Sequence, residues 1–176
     1  MGYDMSFTNK PGDGSDGYFR LNIWAMSRYE AAMRELGMVY GGNHRADWPE
    51  HRPYPNDTAK QAAFDQACED LEYGDGTTTV TGEPLAKARD YIAKKRAALA
   101  FHPDGGDTIP AHKFGTNDGW HVTPAEIKAA LAAYQSREGR DAVIAEHVNA
   151  GLRRAYWDTW INYLERAVDH DGFQVF

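Results

Sequence analysis

Cysteine is nearly absent from this chain: Cys68 is the only one in 176 residues. One thiol closes no intramolecular disulfide and supplies no cysteine-pair zinc site, which excludes a disulfide scaffold and a zinc ribbon and fits a reducing compartment. Long apolar runs are missing as well. No window approaches 18 uninterrupted apolar residues, and Met1-Gly2-Tyr3-Asp4-Met5 has no basic stretch ahead of an apolar core. We therefore expect a soluble, untargeted, cytoplasmic chain with no membrane partner. Basic charge is in short supply: 19 Lys and Arg against 26 Asp and Glu give a net charge of -7, so nonspecific nucleic-acid binding is not expected. Several catalytic signatures are also lacking. The chain has no phosphate-binding glycine loop, no dinucleotide fingerprint, no Gly-x-Ser-x-Gly elbow, no His-Glu-x-x-His and no calcium loop. Cys68 itself sits at an apolar position of a predicted helix, a poor place for a nucleophile.

What is present reads as a single α+β domain over 1–176, mostly helical, with four to five helices and a small sheet formed by its N- and C-terminal strands. Tyr3, Met5 and Phe7 alternate as in a strand, and a glycine-rich turn over 12–17 follows. From 18 to 36, Phe19, Ile23, Met26, Tyr29, Met33 and Leu36 recur three or four apart and predict a helix stopped by Gly37. Pro49, Pro53 and Pro55 make 41–56 an irregular loop. Asp57 or Thr58 caps a predicted helix over 59–71, Thr77-Thr78-Thr79-Val80 suggests a short edge strand, and a further helix covers 83–100. After a second long loop, Thr123-Pro124-Ala125-Glu126 forms a capping box for a helix over 124–135. The last helical region, 141 to about 168, crosses Gly151 and carries a stripe of Trp157, Trp160, Ile161, Leu164 and Val168, read as core. Phe173 and Val175 alternate again, beside the N-terminal strand. The acidic run of Asp65, Glu69, Asp70, Glu72 and Asp75, and the basic run Lys94-Lys95-Arg96, both read as solvated helix faces.

The segment Tyr18-Phe19-Arg20-Leu21-Asn22-Ile23-Trp24 gathers rings, a guanidinium and a carboxamide. Arg20, Asn22, Trp24 and, one turn on, Arg28 form a candidate site for a small anionic, planar ligand, with the arginines on a phosphate or carboxylate and a ring stacked on the base. On a helix, Arg20 and Trp24 would share a face while Asn22 points elsewhere. The blander reading puts Phe19, Ile23 and Trp24 in the core and Arg20 in a salt bridge. One of the two long loops would serve as a lid.

Gly17-Tyr18-Phe19-Arg20-Leu21-Asn22-Ile23-Trp24 also resembles the opening of an uncharacterised protein family of actinobacteria and their phages. The family joins an early Tyr-Phe-Arg-x-Asn-x-Trp segment to a late helix and a Gly-Phe-x-apolar ending, similar here to 160–168 and to Gly172-Phe173-Gln174-Val175. Ala25-Met26-Ser27-Arg28 departs from the aromatic-Arg-Pro sequence of many relatives, and a single cysteine excludes the paired CxxC elements of others. The resemblance covers about a third of the chain. It implies a phage or prophage setting and no particular activity.

The expectation is thus a non-enzymatic accessory protein of a phage that binds a host protein or a small anionic ligand, with countering host defence as one role, and with no cofactor. Two alternatives stand beside it. A metal-dependent hydrolase would use His44, Asp47, His51, His112 and His121, with His102, Asp104 and Asp107 in the second loop, although their spacing matches no known metal motif. A virion structural or assembly protein would self-associate through the acidic helix or the tryptophan stripe.

Overall fold

A computed structural model of the chain describes residues 2–9, 17–42, 48–103 and 105–176. In chain order its elements are β1 (Gly2–Phe7), β2 (Tyr18–Asn22), α1 (Ile23–Glu35), β3 (Val39–Tyr40), α2 (Thr58–Tyr73), α3 (Gly82–Leu99), β4 (Ile109–Pro110), β5 (Trp120–Val122), α4 (Pro124–Ser136), α5 (Arg140–Asn149), α6 (Arg154–Ala167) and β6 (Phe173–Val175). The protein is α+β, with six α-helices among the described residues and a small antiparallel sheet that unites the N- and C-terminal strands. The chain gathers into two compact units: 1–44 with 102–176, and 45–101.

In the first unit the sheet runs β2-β1-β6-β5. Met5 pairs with Val175 and Phe7 with Phe173, while Tyr3 and Met5 face Leu21 and Phe19 of β2. Period two puts Met5, Phe7, Phe19, Leu21, Phe173 and Val175 on the buried side. Helix α6 covers that face. Its Trp160 and Tyr163 meet Phe19 at 5.2 and 5.3 Å between ring centroids, and Tyr163 meets Phe7 at 4.9 Å. Trp157, Trp160 and Leu164 are fully buried, so the tryptophan stripe is core, as its spacing predicts. Gly172 makes the approach to β6 possible: with φ at 78° it turns left-handed, and a Cβ there would lie 2.0 Å from the Val122 carbonyl oxygen.

Several local expectations are corrected. Residues 18–22 are strand, not the first turn of a helix. Phe19 and Leu21 are buried while Tyr18, Arg20 and Asn22 are exposed, and α1 begins only at Ile23, because the Asn22 side chain accepts from the Ala25 N–H at 2.8 Å and caps it. Apolar spacings of four are met here by a strand and a helix in succession. The end of α1 falls where Gly37 predicts it, with Gly37 N–H donating to Arg34 and Met38 N–H to Met33. The region 141–168 is likewise two helices, α5 and α6, broken around Gly151 at φ 103°. Strand β5, absent from the sequence reading, forms the second edge of the sheet.

The second unit is a hairpin of α2 and α3. Asp57 caps α2 through its side chain, and Phe64, Ala67 and Cys68 pack against Ala88, Tyr91, Ile92 and Tyr54. Thr77-Thr78-Thr79-Val80 is not an edge strand. Its polar groups bond locally instead: Asp75 accepts from the Thr77 N–H, Thr78 Oγ1 accepts from the Val80 N–H, and the same hydroxyl donates to Asp70. Charges on the helix faces pair across the hairpin, Lys95 with Glu72 at 3.0 Å and Lys60 with Glu83 at 2.9 Å.

Candidate functional site

Where β2 hands over to α1, the sheet edge, the helix start and the turn after α5 surround an open cleft of about 340 Å³. Arg20, Asn22, Trp24 and Arg28 all line it, so the four residues singled out in the sequence come together, though not by the expected route. Arg20 and Asn22 project from the exposed side of a strand, and Trp24 and Arg28 lie one turn apart on a helix. Trp24 is 76% exposed and Ile23 45%, which removes both from the core that the blander reading gave them. Phe19 is core, as that reading has it.

The opposite wall was missed in the sequence. It consists of Gly151, Leu152, Arg153 and Tyr156; among the described residues, neither long loop contributes, so the lid expectation has no support. The available signal was the glycine that interrupts the last helical run, followed by Arg153-Arg154 and a tyrosine.

Three guanidiniums, Arg20, Arg28 and Arg153, therefore line this space, and among the described residues no carboxylate does. Arg28 is held in place by its 3.0 Å hydrogen bond to the Gly151 carbonyl oxygen. Arg20 lies 3.5 Å from Asp4 in an exposed pair, an interaction of the weak kind. Arg153 sits 5.8 Å above the Tyr156 ring. Both α1 and α6 begin at the cleft, and neither has an acidic residue in its first turn. Among the described residues no side chain caps α6, which leaves its first N–H groups without a side-chain acceptor. Tyr29, only 3% exposed, belongs to the lining, and its hydroxyl has no hydrogen-bond partner among the described residues. Burial and the nearby Tyr156 and Asp158 raise its pKa well above the usual phenol value, so it stays a neutral hydroxyl.

The histidines gather differently. His44, Asp47 and Asp104 lie outside the described residues. His51 belongs to the second unit, with its ring 5.3 Å from Tyr91. His112 is buried edge-on to Trp120, with burial and the Lys113 ammonium pushing it down to about 4. His121 Nε2 lies 2.7 Å from the Asp171 carbonyl oxygen, which makes that nitrogen the donor. His102 Nε2 is 3.4 Å from Glu126, and Asp107 is exposed. Among the described residues, no three His, Cys, Asp or Glu side chains gather as metal ligands would. Burial pushes the Cys68 thiol up to about 11, which leaves it protonated and unreactive at neutral pH.

A buried ion pair stands near these histidines. Lys113 Nζ donates to both Glu126 oxygens at 2.7 and 2.8 Å and to the His121 carbonyl at 2.6 Å, while Glu126 also accepts from the Thr123 N–H. Every donor of the ammonium is used, and the pair ties the capping box of α4 to the segment before β5; its role is structural. No helix of the described residues is long and apolar enough to cross a membrane. Compared with protein-family models, curated proteins and solved structures, the chain matches none.

Proposed function

We propose that this chain is a non-enzymatic accessory protein that binds a small anionic ligand in the cleft between β2, the start of α1 and the start of α6. The phage or prophage setting rests on the resemblance of 17–24, 160–168 and 172–175 to the actinobacterial and phage family, and the non-enzymatic part on the catalytic signatures that the sequence lacks; in that setting a host component is the other candidate partner. One observation carries the binding reading: three guanidiniums and the uncapped N-terminus of α6 border a space that no carboxylate lines among the described residues. In a chain of net charge -7, such a local concentration of positive potential is not an average property of the surface. Trp24 and Tyr156 leave large exposed ring faces at the same place, where a ligand would cover them.

The test is thermal melting of the purified chain with and without millimolar phosphate, citrate and a short acidic peptide. At least one of these anions is expected to raise the melting temperature, and the Arg20→Ala, Arg153→Ala double variant is expected to abolish that rise. Equal response of wild type and double variant to every anion would reject the cleft as the binding site.

A further inference from the structure

We infer that the ligand of this cleft is a nucleotide: a phosphate attached to a heteroaromatic base, rather than an isolated anion. The inference rests on the anion-binding reading above and adds the chemistry of both ends of the ligand. At the phosphate end, Arg153 stands at the uncapped start of α6, and Arg20 and Arg28 line the same space. The uncapped N-terminus of a 14-residue helix, together with three guanidiniums on one space, suits a doubly charged tetrahedral group. At the other end, the 76% exposed indole of Trp24 and the 52% exposed ring of Tyr156 provide flat apolar faces. A bare phosphate or a small carboxylate would leave both of them in water.

The hydrogen-bonding valences narrow the class further. Asn22 uses its carbonyl oxygen to cap α1, so only its NH2 group is left to donate. The Gly151 carbonyl already accepts from Arg28. The polar side chains of the cleft are therefore chiefly guanidinium, amide and indole donors, with the Tyr156 hydroxyl beside them. The complementary ligand is rich in acceptors: phosphate oxygens, ring nitrogens and base carbonyls. A space of about 340 Å³ lies at the small end of ligand sites and accommodates one nucleotide unit.

The experiment is titration of the full chain, by calorimetry and by tryptophan fluorescence, with the four nucleoside 5′-monophosphates, adenosine, inorganic phosphate and a short acidic peptide. At least one monophosphate is expected to bind more than about tenfold tighter than either adenosine or phosphate, with quenching that disappears in Trp24→Phe. Arg153→Ala is expected to reduce that affinity by about tenfold or more. If phosphate or the acidic peptide binds as tightly as every monophosphate, the nucleotide inference is overturned while the anion-binding reading stands. If no anion binds, or if Arg153→Ala binds all of them as the wild type does, both fall.

Discussion

A single buried imidazole gives this protein a built-in response to acid. His112 is held near a pKa of about 4 by burial and by Lys113, against 6.5 for an unperturbed histidine. Above pH 6.5 both the folded and the unfolded chain keep it neutral. Between 6.5 and about 4 only the unfolded chain takes up the proton, so stability falls as pH drops through that window, by up to about 3 kcal/mol. Denaturant unfolding at pH 7 and at pH 4.5 checks this: His112→Asn should lose less stability between the two pH values than the wild type does. An equal loss would place the acid sensitivity elsewhere. The candidate site shows the same dependence on single residues. Arg20, Asn22, Trp24 and Arg28 were legible in the sequence because residue type announces binding chemistry. That Asn22 spends its carbonyl oxygen on a helix cap, and that Trp24 is exposed, was not legible, since both depend on where strand becomes helix.

At the scale of elements, the boundary around Gly151 has the largest influence on the cleft. Gly151 adopts φ 103°, and a Cβ at that position would approach Arg28 Nη1 to 2.8 Å. Gly151→Ala should therefore strain the backbone, displace the Arg28 guanidinium and destabilise the fold by about 1 to 3 kcal/mol. Its melting temperature should drop and its anion affinity should fall with it; a variant that melts and binds like the wild type would show that the turn adapts freely. Elements were readable where local signals agreed. The capping box at Thr123 and Glu126 located α4, Asp57 located α2, Gly37 ended α1, and alternation located β1 and β6. They failed where period and cap disagreed. Phe19 and Ile23 are four apart and look helical, but Phe19 belongs to a strand whose identity depends on pairing with β1. Thr77-Thr78-Thr79-Val80 has strand composition, yet its hydroxyls and neighbouring carboxylates satisfy the backbone locally. The cleft's second wall lies far from the first in sequence, and spacing rules do not reach that far.

For the whole molecule, division into two units predicts two classes of protection. The α2–α3 hairpin packs one layer of side chains around Phe64, whereas the other unit buries Trp157, Trp160, Phe114 and Phe173 between helix and sheet. Hydrogen exchange should open the amides of α2 and α3 at lower free energy than those of β1, β6 and α6; one uniform rate of opening would show that both units unfold together. The sheet carries a further consequence for biosynthesis. Strands β1 and β2 are made before α6, yet the aromatic partners of Phe7 and Phe19, Trp160 and Tyr163, lie more than a hundred residues downstream. A chain emerging from the ribosome must carry the Phe7 and Phe19 rings without those partners until α6 has been made. Chaperone holdases would engage it there, and yield in the cell would depend on how long translation takes as much as on the stability of the finished fold.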